Sequence, residues 1–580
     1  MPEQRRYEVL PGNHGSRVKV KIRGRGILRT PRLNRGTAFT SEERELLGLV
    51  GLLPTGVTPI DAQVHRAYEQ FLEARLPMAK FRRLAALRDR NTVLFYRLIS
   101  EHLEEMMPIV YTPTIGDAIE QFSRQFTRLD GVFLSIDSPD AIEESLRASG
   151  RTAEDVDIIV VTDSEGILGI GDQGVGGILI CHGKMSLYTA AAGVDPDRMI
   201  AVGLDVGTDN LGLLNDDLYP GLRHARVRGR RYDEFVEAFV AAAQRVFPRA
   251  MIHWEDFGAA NAHRILTRYR DEVCTFNDDV QGTAAVVGAA ALAAVRAKGE
   301  RLRDQRIVVH GAGTAGVGIA DLMRDMMAGE GLDDEAAHER FWCLNSRGLI
   351  TDTSTGVRDF QRPYARPAAE VEGWEVQHRG TVSLGDVVRN VRPTILIGTS
   401  GQPGSFTEAM IRDLAAHVHQ PIIMPLSNPT ALAEATPADL LDWTDGRALL
   451  ATGSPFDPVL RDDVEYTIAQ ANNALVFPGL GLGVAVCGAT RVTDRMIAAA
   501  AQAVASMVRI RTAGAPLLPK ISDLRRVSAT VAIAVAKAAA DDGVAAIELE
   551  NPVQDVFDRM WQPVYPELLL DAEAESADGE

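Results

Sequence analysis

Cysteine is scarce in this chain, with four residues in 580. Cys181, Cys274, Cys343 and Cys487 are widely separated, and no two have the Cys-x-x-Cys spacing of a zinc site. The sequence therefore excludes a disulfide framework and a structural zinc cluster, and it fits a reducing compartment.

Positive charge and long apolar runs are also limited. The 61 basic residues are outnumbered by 79 acidic ones, giving a net charge of −18, which argues against binding to nucleic acid. Residues 1–21 lack the apolar core of a secretory signal. The most apolar stretch, 282–295, is shorter than the ~18–20 residues that cross a bilayer. We therefore expect a cytoplasmic protein with small-molecule ligands and no membrane partner.

The remaining composition is that of folded domains. Hydrophobic residues make up 46% and charged residues 24% of the chain, as in ordinary globular proteins. A chain of 580 residues exceeds the ~250–300 residues that one hydrophobic core serves, so several domains are expected.

Helical patterns dominate the beginning of the chain. Residues 1–35 are basic and turn-rich, which predicts an arm. Thr40 and Glu43 have the spacing of a helix-capping box, and apolar residues at helical spacing follow. A further helix is predicted from Val93 to Met107, ending before Pro108.

From residue 157 onward, short β-branched runs alternate with helical segments, which predicts parallel α/β layers. The predicted strands are 158–162, 199–205, 251–254, 306–310, 341–345, 394–397, 421–425 and 448–451. The last hundred residues return to helix, and an acidic tail closes the chain.

A glycine-rich loop follows the strand 306–310. Gly311, Gly313 and Gly316 have Gly-x-Gly-x-x-Gly spacing between this strand and a predicted helix at 317–327. In that context the loop predicts a dinucleotide site, with a pyrophosphate at the helix N-terminus; a purely structural turn is the alternative. The next strand ends at Asn345, which is neutral, so NAD and NADP both stay open.

Two acidic pairs are candidate metal ligands. Glu255 and Asp256 follow a short strand, and Asp278 and Asp279 begin an alanine-rich helix. Carboxylates from both places could supply three oxygen ligands to Mg²⁺ or Mn²⁺. The alternative is that they are ordinary acidic residues, such as those favoured at helix N-termini.

Seven segments in order resemble the malic enzyme family over about residues 30 to 550. They are LNRGTAFT at 33–40, YTPT at 111–114, GIGDQG at 169–174, WEDF at 254–257, FNDDVQGT at 276–283, LSNPT at 426–430 and NN at 472–473. The resemblance implies an α/β fold with a helical N-terminal region at 1–130. A central catalytic domain is expected at 131–280 and 470–560, with an inserted Rossmann-type domain at 281–469 and a disordered acidic tail at 561–580.

The resemblance also implies roles for individual residues in the oxidative decarboxylation of malate to pyruvate and CO₂. Glu255, Asp256 and Asp279 match the family's metal ligands. A bound metal would polarise the malate hydroxyl and stabilise the enolate.

Five further positions match the family's remaining site residues. Lys184 matches the general base, Asp278 the acid that holds this lysine, and Tyr111 the general acid that protonates C3 of the enol. Asn428 and Asn473 match residues beside the nicotinamide and the substrate carboxyl group. The family commonly forms homodimers or homotetramers, which we expect here also.

One position departs from the family pattern. Many malic enzymes carry an arginine for the malate carboxylate where this chain has Gly166, after Glu165. Arg124 or Arg128 could replace that cation. Gly166 also resembles malolactic enzymes, which convert malate to lactate and CO₂ with retained NAD, and this reaction is the alternative. A non-catalytic dinucleotide or malate sensor is a third possibility.

Overall fold

The computed structural model describes residues 6–10, 17–125, 129–167, 169–377 and 380–576, with side chains to residue 572. Arg128 and the end of the acidic tail, 577–580, lie outside the described residues. The chain forms two compact units: 1–257 with 485–488 and 547–580, and 258–484 with 489–546.

The elements of the first unit begin with two strands and a run of helices, followed by alternating strands and helices. They are β1 Tyr7–Val9, β2 Arg17–Arg23, α1 Arg25–Leu28, α2 Ser41–Leu46, α3 Ile60–Glu73, α4 Pro77–Arg90, α5 Thr92–Glu101, α6 Leu103–Val110, α7 Thr114–Glu120, β3 Val132–Ser135, α8 Ile142–Arg147, β4 Ile158–Thr162, α9 Ile178–Ala192, β5 Met199–Asp205, α10 Leu211–Leu214, α11 Arg230–Val246 and β6 Met251–Trp254.

The second unit alternates strands and helices more regularly, and the chain then returns to the first unit. The elements are α12 Ala259–Tyr269, β7 Thr275–Asn277, α13 Thr283–Ala297, β8 Ile307–His310, α14 Thr314–Gly329, α15 Asp334–His338, β9 Phe341–Asn345, β10 Gly348–Leu349, α16 Ala368–Val371, α17 Leu384–Val391, β11 Ile395–Gly398, α18 Glu408–His417, β12 Ile422–Pro425, α19 Pro437–Trp443, β13 Leu449–Thr452, β14 Val459–Arg461, β15 Val464–Tyr466, β16 Ala469–Gln470, α20 Phe477–Cys487, α21 Asp494–Ser506, α22 Leu524–Asp541, α23 Pro552–Arg559 and β17 Glu567–Ser576.

A parallel sheet lies at the centre of the first unit. Its strands β3, β5, β4 and β6 are neighbours in that order, and every residue of β4 is buried. Buried parallel strands are continuous apolar runs, which is the pattern of Ile158–Thr162. Helix α9 packs on β4 and β5, and all of its residues are buried. The sequence correctly predicted β4, β5 and β6.

Segments near the two ends of the chain meet in a second sheet of the first unit. Strand β2 pairs with β1 and, in parallel, with β17. The expectation of an arm at 1–35 and a disordered tail at 561–580 is thereby corrected for the described part of both segments. The physical reason is alternation: Val18 and Val20 on β2 are fully buried and Leu568 on β17 nearly so, in one apolar cluster.

The helical region after residue 40 is as predicted, except at one proline. The capping box of Thr40 and Glu43 is present at the start of α2. The predicted helix 93–107 is instead two helices, α5 and α6, and Pro108 lies inside α6. The prediction that helix would stop before Pro108 was wrong. Burial of Ile109 and Val110 offsets the hydrogen bond that a proline removes.

The second unit contains the larger sheet. Its order is β10-β9-β8-β11-β12-β13-β16, and the strands from β9 to β16 run parallel. All residues of β8, β11 and β12 are buried. The chain passes from β8 to β9 on one side and later to β11 on the other, which is the strand-order reversal of a Rossmann-type sheet. The predicted α/β fold is confirmed.

The alanine-rich helix α13 lies in the core of this unit. Residues 278–297 have the length and hydropathy of a membrane span, but 83% of this apolar segment is buried inside the protein. No second such helix occurs among the described residues. Helix α13 packs against α14 and α21, and α21 packs against α22. The C-terminal helices α21 and α22 thus belong to the compact unit of the larger sheet, whereas 470–560 was expected to complete the central domain.

Candidate active site

The end of β6 carries a buried network of polar side chains in the first unit. Lys184, on α9, is 1% exposed, and its ammonium lies 3.0 Å from Glu255 Oε1. The other oxygen of Glu255 lies 2.9 Å from His253 Nε2, and His253 Nδ1 lies 2.8 Å from the Tyr188 hydroxyl. Both carboxylate oxygens are therefore engaged, which offsets part of the cost of burying this charge.

Tyr111 stands beside this network. It follows α6 directly and is 9% exposed, and its ring centroid lies 5.3 Å from Lys184 Nζ. Gly183 permits the close approach: a Cβ there would lie 3.2 Å from Tyr111 Cδ2 and from the Val110 carbonyl oxygen. The structure thus brings together Tyr111, Lys184 and Glu255, to which the resemblance assigned the roles of acid, base and metal ligand.

Asp256 has an unusual backbone conformation. Its φ is 54°, in the left-handed region that costs about 1 kcal/mol or more for a residue other than glycine. The side chain is buried, and the Asp256 carbonyl accepts a hydrogen bond of 3.0 Å from Gly166 N–H. A Cβ on Gly166 would lie 2.8 Å from the carbonyl oxygen of Phe257. Backbone contact with the acidic segment therefore leaves no space for an arginine at position 166.

A buried ionic cluster fixes the loop that contains Gly166. The Arg226 side chain is fully buried, and it donates to Asp172 at 2.8 Å and to the Asp163 carbonyl at 2.9 Å. Burial raises the pKa of Asp163 to about 6, against the opposing attraction of Arg226. The Tyr232 hydroxyl donates to Asp163 at 2.6 Å. Arg124, one suggested replacement for the missing arginine, is exposed.

In the second unit, Asp278 and Asp279 begin a π-helical turn, Asp278–Gly282. Asn277 caps it, accepting a hydrogen bond of 2.9 Å from Val280 N–H. Asp278 is 1% exposed, whereas Asp279 is partly exposed. Asn473 donates to Asp278 Oδ2 at 2.9 Å and to the Asp278 carbonyl at 3.0 Å, so the structure joins these two predicted site residues.

The glycine loop has the shape that a pyrophosphate site needs. Gly311 has φ +104°, and a Cβ on it would lie 2.5 Å from Thr399 backbone atoms. A Cβ on Gly316 would lie 2.3 Å from the Gly311 carbonyl oxygen, whereas a Cβ on Gly313 would meet nothing within 4 Å. Gly311 and Gly316 therefore serve backbone packing, and Gly313 leaves open space at the N-terminus of α14.

The cofactor-discriminating strand β9 ends as predicted at Asn345. The Asn345 carboxamide oxygen accepts a hydrogen bond of 2.8 Å from the Arg347 backbone N–H. The Arg347 guanidinium donates to the Thr355 carbonyl at 2.9 Å. No carboxylate stands at the strand end, so the local charge does not exclude a 2′-phosphate.

Asn428 lies at the carboxyl end of β12, after Ser427. Its carboxamide oxygen accepts a hydrogen bond from the Ser454 hydroxyl, which follows β13. The loops that end two neighbouring strands are thus joined at a predicted cofactor residue.

These residues suit the groups that the sequence predicted. Glu255 and Asp256 are adjacent, buried carboxylates, and such hard oxygen donors are those that Mg²⁺ and Mn²⁺ prefer. The open approach at Gly313 suits a dinucleotide phosphate.

Sequence reasoning missed several polar residues around these sites. His253 lies two residues before Glu255, and a histidine inside an apolar strand was the available signal. Glu434 is fully buried, but the segment around it has no distinctive pattern. Its partners Ser400 and Ser427 lie 34 and 7 residues away, so the grouping depends on the fold.

Two family models match this chain. The model described as malic enzyme, N-terminal domain, matches residues 88–270. The model described as malic enzyme, NAD binding domain, matches residues 280–540. The second range includes the glycine loop, Asn345, Asn428 and Asn473.

Two named relatives and one solved structure are similar to this chain over most of its length. NAD-dependent malic enzyme 3 of Bacillus subtilis (strain 168) is 53% identical, covering 94% of this chain and 97% of the relative. NAD-dependent malic enzyme of Sodalis glossinidius is 49% identical over 93% and 95%. The crystal structure of malic enzyme from Pyrococcus horikoshii Ot3 has a similar fold, with a TM-score of 0.53 and 23% identity, covering 79% of this chain and 88% of that one. The extent of these matches shows that the chain belongs to the malic enzyme family.

Proposed function

We propose that this protein converts (S)-malate and NAD to pyruvate, CO₂ and NADH with the help of Mg²⁺ or Mn²⁺. The observation that carries the proposal is the buried contact of Lys184 with Glu255, beside the ring of Tyr111. A buried lysine next to a phenol and a carboxylate supplies a base, an acid and a metal ligand in one place.

Lys184 acts as the general base in this mechanism. Its amine takes the proton of the C2 hydroxyl group while hydride leaves C2 for the nicotinamide. Lys184 is 1% exposed and is therefore shielded from bulk water. Glu255 orients the amine through the 3.0 Å contact.

Tyr111 acts as the general acid after CO₂ has left. Its phenol delivers a proton to C3 of the enol, and pyruvate results. One proton leaves the hydroxyl group and one arrives at C3, so the overall reaction releases no proton. The resemblance to the family assigns Asn473 and Asn428 to the substrate carboxyl group and the nicotinamide, and Asp278 to the support of the base.

The metal ligands that we propose are Glu255, Asp256 and Asp279; the resemblance to the family supports all three, and burial supports the first two. The metal, when bound, supplies Lewis-acid polarisation of the hydroxyl group and stabilises the enolate. Removing metal with EDTA should abolish turnover, and Mn²⁺ or Mg²⁺ should restore it.

NAD is proposed over NADP for two reasons. The relatives at about half identity are named NAD-dependent. The Arg347 guanidinium, the nearest cation to the end of β9 in sequence, is held by the Thr355 carbonyl. Comparison of kcat/KM for the two cofactors tests this choice, and a higher value with NADP would contradict it.

The product assay tests the reaction itself. Enzyme, malate, Mn²⁺ and NAD should give NADH and pyruvate in equal amounts. Lactate without free NADH would indicate a malolactic enzyme instead, and NAD binding without any product would indicate a sensor.

Lys184→Ala tests the base. We expect turnover to fall by about 10²–10⁴-fold, the typical contribution of a general base to the rate. NAD affinity, measured by calorimetry, should stay the same. Lys520→Ala, which removes an exposed lysine, is the matched control. Near-normal turnover in Lys184→Ala would refute the assignment.

We also propose that the protein is a homodimer or homotetramer. Five large apolar side chains between positions 46 and 76 are 48–69% exposed, as expected of an interaction surface: Leu46, Val50, Val57, Leu72 and Leu76. Sedimentation equilibrium should give a mass that is a multiple of 62.9 kDa, and a monomer at micromolar concentration would contradict the proposal.

A further inference from the structure

Hydrogen bonds join the loops at the carboxyl ends of neighbouring strands in the larger sheet. The Thr399 hydroxyl, after β11, donates to the Gly311 carbonyl, after β8, at 2.7 Å. Gly401 N–H, also after β11, donates at 2.8 Å to the hydroxyl of Ser427, which follows β12. The glycine loop is thereby linked to the next two loops across the sheet.

Glu434 is the centre of this network. Its side chain is fully buried. Oε1 accepts hydrogen bonds from Ser400 N–H at 2.8 Å, from the Ser400 hydroxyl at 2.8 Å and from the Ser427 hydroxyl at 2.6 Å. Oε2 lies 3.4 Å from Ser427 N–H. All four partners are donors in this arrangement, and three of them converge on the single acceptor oxygen Oε1.

The packing around Glu434 fits this one side chain. A Cβ on Gly398 would lie 2.5 Å from Glu434 Cδ, so the last residue of β11 has to be glycine for the carboxylate to sit there. The backbone carbonyl of Glu434 accepts a hydrogen bond of 3.1 Å from Phe406 N–H, which fixes the segment from which the side chain extends.

The position of these loops in the sheet indicates which ligand they bind. The strand order reverses between β8 and β11, and ligands of open α/β sheets bind outside the carboxyl ends of the strands at such a point. The glycine loop after β8 suits the pyrophosphate. The loops after β11 and β12 are therefore placed for the next part of the dinucleotide, the nicotinamide half.

We propose that Glu434 is a positioning residue for the nicotinamide half of the cofactor: it holds loops 399–401 and 426–428 in the conformation that binds it. This inference rests on the proposed function, since it takes NAD as the ligand. Glu434 acts through Ser400 and Ser427.

The test compares two ligands by calorimetry on the full-length protein. NAD reports on the whole site, whereas ADP-ribose lacks the nicotinamide ring and reports on the adenosine and pyrophosphate half. In Glu434→Ala four donors lose their acceptor, so the dissociation constant for NAD should rise about tenfold and that for ADP-ribose less than about twofold. Glu434→Gln keeps one acceptor oxygen and should restore most of the NAD affinity.

Glu408→Gln, in the exposed ion pair of α18 with Arg412, is the matched control and should change neither constant. Unchanged NAD affinity in Glu434→Ala would overturn the inference, as would equal losses for both ligands accompanied by a lower melting temperature. A wild-type protein that binds no NAD would instead refute the proposed function, so the two failures are distinguishable.

Discussion

Gly166 occupies the position at which many malic enzymes have an arginine, and the fold explains why this chain has none. The sequence indicated only that a cation for the substrate was missing. In the structure, a Cβ at residue 166 would lie 2.8 Å from the carbonyl oxygen of Phe257, next to Asp256. An arginine would therefore require this backbone to move.

Gly166→Ala should lower the free energy of unfolding by about 1–3 kcal/mol, as overpacking in a tight site does. Gly166→Arg should cost more and should also reduce activity, because it displaces Asp256. Urea denaturation measures both. Gly56→Ala, where a Cβ meets nothing within 4 Å, is the control. An arginine variant as stable as the wild type would refute the steric argument.

Asp163 gives the protein a pH-dependent stability. Its folded pKa is raised from 3.8 to about 6 by burial, while Arg226 and the Tyr232 hydroxyl oppose the shift and Glu165 adds to it. A raised carboxyl pKa means that the folded protein binds this proton more tightly than the unfolded chain. The stabilisation that this bound proton gives the folded state is complete below pH 3.8 and is lost as the pH rises through about 6.

Asp163→Asn should therefore gain stability relative to the wild type as the pH rises from 4 to 7, by up to roughly 3 kcal/mol. Denaturation midpoints across that range measure the difference. Asp217→Asn, at an exposed carboxylate, should show no such trend. A difference between Asp163→Asn and the wild type that is constant across the range would contradict the assignment.

At the scale of elements, two glycines between β8 and the first turn of α14 have different surroundings. Gly316 lies against the Gly311 carbonyl oxygen and the side chains of Thr399 and Val309, and Gly313 faces open space. The sequence motif assigns the second glycine to the approach of a pyrophosphate and the third to close helix–strand packing, and the distances in the structure are in line with that division.

Gly316→Ala should lower both the melting temperature and the NAD affinity, because its Cβ would lie 2.3 Å from the Gly311 carbonyl oxygen. Gly313→Ala should keep the melting temperature and lose NAD affinity about tenfold, since the methyl group occupies the phosphate approach. Thermal unfolding and calorimetry measure the two effects. Gly329→Ala, at the open end of α14, is the control and should be neutral or slightly stabilising. Equal stability losses in Gly313→Ala and Gly316→Ala would contradict this division.

At the scale of the whole chain, a segment near its beginning pairs with a segment near its end. Strands β2 and β17 pair in parallel, although more than 540 residues separate them, and Arg35 donates to the Pro566 carbonyl. The apolar cluster beneath includes Phe39, Leu47 and Leu49, all fully buried. The C-terminal strand therefore covers a core that the N-terminal segment begins.

Deleting residues 567–580 should destabilise the first unit by several kcal/mol, because it uncovers the edge of β2 and removes the buried Leu568. Thermal unfolding and limited proteolysis after Arg17 or Lys19 measure the loss. Glu567→Gln, which breaks only an exposed ion pair with Arg17, should change little. A truncated protein with the wild-type melting temperature would show that β17 does not contribute to the stability of the first unit.

The sequence by itself determined the buried strands, the amphipathic helices, the glycine loop and the family. These features are local: β-branched runs such as Ile158–Thr162 form strands and Gly311 allows a tight turn whatever surrounds them. Only the tertiary structure decided which side chains pair, such as Lys184 with Glu255 and Glu434 with Ser400 and Ser427, and that β17 closes on β2. Such pairings join residues that are distant in the chain, and their energy depends on burial and on distances of a few ångströms, which no local pattern encodes.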